Sequence, residues 1–340
     1  MALMSTHRVA VVQAGASLFD TPHTLDRMQR HCETVAREGA QVVVFPEAYV
    51  GGYPKGLDFG ARVGSRTPAG RDDFLRYWQS AIEVPGPETA RMGGYAADMR
   101  AHLVVGVIER EGGTLYCTAL VFGPDGALRG KHRKLMPTAS ERLIWGQGDG
   151  ATLPVVDTPA GRIGTAICWE NYMPMLRQAM YAKGVSLWCA PTVDDRDIWQ
   201  ASMRHIAYEG RSFVLCACQY LTRADAPADY ACVQGDDPGT VLIRGGSVIV
   251  SPMGEVLAGP VYDREAVLTA DIDPTDQVRA KYDLDVVGHY ARPDVFQLQV
   301  DERPKAAVVS TRAEAAPVDA NASANVSAAN TNTSMVRDAS

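Results

Sequence analysis

Short apolar runs alternate along this chain with stretches of helical period, and that alternation restricts it to a layered α/β fold. Arg8–Ala14 (RVAVVQA), Gln41–Glu47 (QVVVFPE) and Arg162–Ile167 (RIGTAI) read as strands. Between the first two, Thr24–Glu38 places Leu25, Met28, Cys32 and Val35 on one helix face. Further helices are expected around Asp72–Ile82, Glu88–Met99, Met175–Ala182 and Trp199–Tyr208. Further strands are expected at His102–Glu109, Leu115–Phe122, Val185–Ala190, Phe213–Gln219, Ser247–Ser251 and Val256–Leu257. Turns at Gly123–Gly126 (GPDG) and Pro252–Glu255 (PMGE) punctuate them. The runs have few polar faces, so both faces of the sheets should be covered. Two hairpin-like pairs imply mixed sheets. An α-β-β-α sandwich satisfies this pattern, and so does one doubly wound sheet; periodicity does not separate them.

The chain has 340 residues, 46% of them hydrophobic, which is enough for a large core. A net charge of −7 and the lack of a basic stripe argue against nucleic acid as a partner. No apolar run approaches the length of a bilayer span, and the N-terminus lacks the ordered regions of a signal peptide. Seven cysteines at irregular spacings read as free thiols in a reducing cytoplasm. From about Pro304 the composition turns to Ala, Ser, Asn and Thr without aromatics. Such a segment cannot bury enough apolar area to offset chain entropy. Residues 304–340 are therefore expected to be a disordered tail behind a folded region, 7–303.

Three places carry chemically loaded residues at expected strand ends. Glu47 follows VVVFP at the rim of an apolar wall, where desolvation raises a carboxyl and suits it to act as a base. Alone, it reads equally as a capping or ion-paired Glu. Lys134 lies in RGKHRKL, a basic stretch that reads by itself as a surface loop or strand edge. It differs from its neighbours in preceding Leu135-Met136-Pro137. Cys168 follows the small-residue strand RIGTAI and precedes an expected helix. Helix N–H groups at such a turn lower a thiol's pKa and stabilise oxyanions. Burial in a core is the commoner fate of a cysteine. Here Gly164 and the polar pair Glu170-Asn171 argue against it.

Other site types fit poorly. There is no H-E-x-x-H, no paired C-x-x-C and no phosphate loop, so neither metal nor cofactor is expected. Gly146–Gly150 (GQGDG) reads as backbone shaping beside Glu141. Cys216 and Cys218 read as core, and His205 as a packed or surface residue.

Taken together, FPEAYVGGYP (Phe45–Pro54), HRKLMPTASERLIWGQGDG (His132–Gly150) and CWENYMP (Cys168–Pro174) resemble the nitrilase branch of the carbon–nitrogen hydrolase superfamily. The resemblance runs from about His7 to about Val300. It implies the α-β-β-α sandwich, a catalytic triad of Glu47, Lys134 and Cys168, and Glu141 as a fourth, supporting carboxylate. It also implies no cofactor, and dimers that extend into larger or spiral homo-oligomers. The expected reaction converts a small-molecule nitrile to a carboxylic acid and ammonia through a thioimidate and thioester on Cys168. Tyr53, Trp145 and Trp169 are the expected pocket residues. The alternatives are an amidase or N-carbamoyl hydrolase, a cyanide-degrading relative, and a non-catalytic binding protein on the same fold.

Overall fold

The computed structural model describes residues 6–230 and 232–308. The chain divides into Met1–Pro304 and Lys305–Ser340, and the first unit holds every element below. The expected tail beyond Val308 lies outside the described residues.

Two sheets form the centre. The first contains β1 (His7–Gln13), β2 (Val42–Val44), β5 (His102–Glu111), β6 (Thr114–Phe122), β7 (Leu128–Arg133) and β15 (Ala266–Ile272), in the order β15-β1-β2-β5-β6-β7. β1, β2 and β5 run parallel; β15, β6 and β7 join antiparallel. The second contains β8 (Val155–Thr158), β9 (Gly161–Thr165), β10 (Leu187–Thr192), β11 (Phe213–Cys218), β12 (Tyr220–Thr222) and β13 (Val241–Val250), in the order β12-β13-β11-β10-β9-β8, with β14 (Val256–Tyr262) on β13. A two-stranded ribbon, β3 (Ala61–Arg62) and β4 (Ser65–Arg66), stands apart.

The period-two alternation of each strand sorts its side chains between two cores. Val9, Val11, Val42 and Val44 of the first sheet pack against Leu187, Cys189, Phe213 and Leu215 of the second. The alternate residues face helices. Ala10, Val12, Val43 and Leu103 meet α1 (Thr21–Glu38) and α3 (Pro87–Met99) through Leu25, Met28 and Met92. Trp188, Ala190, Val214 and Cys216 meet α4 (Pro174–Ala182) and α5 (Asp197–Gly210) through Met180, Trp199 and Met203. The layering is thus α-β-β-α with mixed sheets, and the doubly wound alternative is excluded. Two further helices, α2 (Pro68–Ser80) and α6 (Thr275–Ala280), complete the unit. Every expected helix is present, starting one to four residues early, and a proline opens each of them except α5: α1 begins at Thr21-Pro22, with the Asp20 carboxylate accepting from the His23 amide.

The strands depart more from expectation. Gln41–Glu47 is strand only over Val42–Val44, because Pro46 has no amide to donate and the chain turns at Ala48 (φ 48°). The basic stretch read as a loop or edge is largely β7, at the edge of the first sheet. β3, β4, β8, β12 and β15 carry weaker apolar patterns and are not among the expected strands.

Candidate active site

Glu47, Lys134 and Cys168 arrive from both sheets at one end of the sandwich. Glu47 stands three residues beyond β2, in a turn clamped to β5. The Gly106 amide donates to Pro46 O at 3.1 Å, and the Tyr49 and Val50 amides donate to Gly106 O. A Cβ on Gly106 would meet Pro46 O at 2.3 Å and Glu47 Cα at 2.6 Å, so this approach requires glycine. From the other sheet, Gln219 Nε2 donates to Glu47 O at 2.7 Å.

Lys134 immediately follows β7. Its amide donates to Cys117 O, and its carbonyl accepts from Gly148. Gly148 has the Arg133 carbonyl 2.2 Å from where its Cβ would lie. The glycine-rich GQGDG stretch therefore shapes the backbone around Lys134. The lysine side chain has no solvent exposure. Its ammonium donates to Glu47 Oε1 at 2.7 Å and to Glu141 Oε2 at 2.9 Å. The surface-loop reading of this lysine is overturned: the apolar turn after β7 folds it inward. Glu141 is held by Tyr53 Oη at 2.8 Å and by the Thr138 amide at 2.6 Å.

Cys168 is buried and adopts φ 50°, the left-handed region that a non-glycine residue occupies only under constraint. It opens a 3-10 turn, Cys168–Tyr172, and α4 starts only at Pro174. Asn171 Nδ2 ties the turn by donating to Ala166 O and Cys168 O at 2.8 and 2.7 Å, and Asn171 Oδ1 accepts from Trp188 Nε1.

Electrostatics join the three groups. Burial is the largest influence on Glu47 and pushes its carboxyl up; the Glu141 charge adds to this, and Lys134 opposes it. Burial works against the charge of Lys134, but Glu47 and the other acidic groups around it prevail and keep the ammonium firm. Burial and the Glu47 charge push the Cys168 thiol well up, against Lys134 and a hydrogen bond with Thr192. The expected lowering of this thiol by a helix end is not found. The thiol is enclosed beside a carboxylate, and desolvation exceeds the pull of a short 3-10 turn. The resting group is a thiol, next to a carboxylate whose Oε2 takes no hydrogen bond among the described residues.

The carbon–nitrogen hydrolase family profile matches residues 8–282. The aliphatic nitrilase of Sinorhizobium fredii (strain HH103) is 58% identical over 90% of this chain and 99% of its own length. The bifunctional nitrilase/nitrile hydratase NIT4A of Lupinus angustifolius is 55% identical over 91% and 90%. This chain belongs to the nitrilase branch of the carbon–nitrogen hydrolase family. Saccharomyces cerevisiae Nit3, a member of branch 10 of the nitrilase superfamily, shares the fold at TM-score 0.63 and 22% identity, covering 84% of this chain and 96% of that one.

In this nitrilase-branch hydrolase the three expected pocket aromatics separate. Tyr53 and Trp145 pack edge to face at 5.8 Å between ring centroids and line a cavity of about 250 Å³ with Glu141, Lys55, Leu57 and Ile144. Trp145 also lies 5.6 Å from the Lys134 ammonium. Trp169 is not among the residues lining that cavity. It is 41% exposed, donates from Nε1 to Asp194 at 2.8 Å and stacks with Arg196. A cavity of about 820 Å³ lies between α4 and residues 286–302, and none of the expected site residues lines it. Among the described residues no group of three or more His, Cys, Asp or Glu is arranged to hold a metal ion. Nor is any helix among them long and apolar enough to cross a membrane.

Two neighbours of the site carry no sequence signal of a role in it. Cys117 lies on β6, and its thiol is 3.6 Å from Glu47 Oε1. The sequence marks Gln219 only as a strand end. Both are single residues far from the motifs, and only pairing of the sheets brings them in. Cys216 and Cys218 are buried, as expected, and His205 is exposed.

Proposed function

We propose that Glu47 and Lys134 act with Cys168 as base, cation and nucleophile in the hydrolysis of an organic nitrile to its carboxylic acid and ammonia. The observation that carries this reading is the buried Glu47–Lys134–Glu141 cluster beside a thiol in the left-handed region. Relatives at more than half identity are named nitrilases, which favours a nitrile over an amide or carbamoyl substrate.

Because burial holds Cys168 as a thiol, its proton leaves during attack. Glu47, raised by burial, accepts that proton as sulfur adds to the nitrile carbon and passes it to the nitrile nitrogen, so that a neutral thioimidate forms and Glu47 is again a carboxylate. Water enters with Glu47 as base, and the nitrogen departs as ammonia from the tetrahedral adduct. Lys134, held between two carboxylates, meets the charge that develops there. A second water then releases the acid from the thioester. Glu141 orients Lys134, and Tyr53 holds Glu141. The same adduct releases amide if sulfur leaves before nitrogen. A bifunctional relative bears that activity in its name. Proton delivery by Glu47 to nitrogen favours the acid.

The test is ammonia release and product analysis across matched nitriles and amides. Acid and ammonia as main products from nitriles support the reading; turnover of amides alone overturns it.

The activity is assigned to residues 7–303. Exposed Met175, Ile198, Tyr208 and Phe296 support a homo-oligomer, a dimer that extends further, tested by light scattering of the purified chain. All seven cysteines are free, which supports a reducing cytoplasm, tested by cell fractionation.

A further inference from the structure

Lys134 and Cys168 come from different sheets, and their relative placement must be set by something that touches both. One buried side chain, Glu170, ties together the residues next to each. Glu170 Oε2 accepts from the Ile167 amide at 2.8 Å, next to Cys168. Glu170 Oε1 accepts from the Leu135 amide at 2.6 Å, next to Lys134. Its third partner is His132 on β7, whose Nε2 lies 2.9 Å from Glu170 Oε2. The other ring nitrogen, Nδ1, faces Thr152 O. Both side chains of the pair have no solvent exposure.

We propose that His132 and Glu170 form a charged clasp, imidazolium on carboxylate, that positions Lys134 and Cys168 relative to each other. A carbonyl only accepts, so Nδ1 carries a proton. The second proton sits either on Nε2, giving the ion pair, or on Glu170 Oε2. Glu170 already receives two backbone N–H groups, and these favour the carboxylate form. The charges that face this pair are its own. β7 supplies His132, the Cys168–Tyr172 turn supplies Glu170, and the turn at Gly150–Thr152 supplies only a carbonyl. Burial disfavours charge on both groups, yet the attraction and hydrogen bonds exceed it, raising the histidine and lowering the glutamate. Neither residue lines the cavity of about 250 Å³ beside Glu141. They are positioning residues, and the proposal rests on the assignment of Cys168 and Lys134 above.

Two measurements test it. Nitrogen NMR of the histidine-labelled wild-type enzyme, with His132 assigned by its loss in His132→Gln, reads the ring directly. Both nitrogens should show the imidazolium pattern even at about pH 8, well above the ordinary histidine value. A neutral tautomer there overturns the charged clasp. Second, Glu170→Gln keeps the shape but turns one acceptor into a donor, so one of the three N–H groups faces another donor. Displacement of the two backbones should lower kcat about tenfold to a hundredfold. KM should stay within about threefold, since the cavity is untouched. Unchanged kcat, or a loss confined to KM, overturns the positioning role. If Glu170→Gln does not fold, His132→Gln is read by the same split. Retained turnover in Cys168→Ala would sink the active-site assignment instead and leave the NMR result standing.

Discussion

Replacing Lys134 by Met tests the buried charge cluster most directly. The ammonium lies 2.7 Å from Glu47 and 2.9 Å from Glu141, with no exposure of its own and 11% at Glu141. Methionine fills similar space but leaves two carboxylates facing each other away from water. Breaking a buried pair in this way costs about 3–5 kcal/mol. Proton uptake limits the cost. Protonating one carboxylate at pH 7 from an ordinary value near 4.3 costs about 3.7 kcal/mol, at ~1.4 kcal/mol per unit. The expected deficit is therefore about 3–4 kcal/mol at neutral pH and roughly 1.6 kcal/mol near pH 5.5. The sign follows from Glu47, which burial already raises and which rises further without Lys134. A group raised in the folded state binds more protons folded than unfolded. Its contribution is present below the unfolded value and is lost as pH rises. The variant should thus lose ground to the wild type with increasing pH. Urea unfolding of both proteins from about pH 5.5 to 7.5 measures this, with a melting point about 10 °C lower at neutral pH. The double variant Glu47→Gln/Lys134→Met, which removes one anion, should recover about 2 kcal/mol through the coupling of adjacent groups. A deficit under about 1 kcal/mol, or one independent of pH, refutes the reasoning.

Other perturbations probe the remaining parts. Cys168→Ser should abolish turnover while the protein stays folded, because a hydroxyl is a much weaker nucleophile at neutral pH; near-normal ammonia release ends the thiol mechanism. Glu47→Gln should cost about 10²–10⁴-fold in kcat, read by steady-state kinetics on a good nitrile; a loss under tenfold removes it as the base. Gly106→Ala should destabilise by roughly 1–3 kcal/mol and lower activity as well, since its Cβ would press on Pro46 and Glu47; wild-type values in both assays would show that the turn yields freely. Truncation after Pro304 should leave a folded, active enzyme, because the segment removed has a composition unsuited to a core; an insoluble or inactive product would show that it docks or supports assembly.

The sequence by itself determined the period of each long element. Leu25, Met28, Cys32 and Val35 do face the first sheet from α1, and Val9 and Val11 do face the second sheet from β1. Those positions are legible because burial imposes a repeat of 3.6 or 2 on the chain. The separate motifs around Glu47, Lys134 and Cys168 were also legible, as was a link among them through family resemblance. The tertiary structure decided that there are two sheets, because a buried strand looks alike whether its second face meets a helix or another sheet. It decided that Lys134 is buried between Glu47 and Glu141 although its neighbours Lys131 and Arg133 pair elsewhere, with the buried Glu109 and, for Arg133, the exposed Glu111. It placed Trp169 off the cavity that Trp145 lines, and brought Cys117, Gln219 and His132 to the site. These are contacts between residues distant in the chain. Local pattern carries no record of them, because their free energy arises only when the two sheets meet.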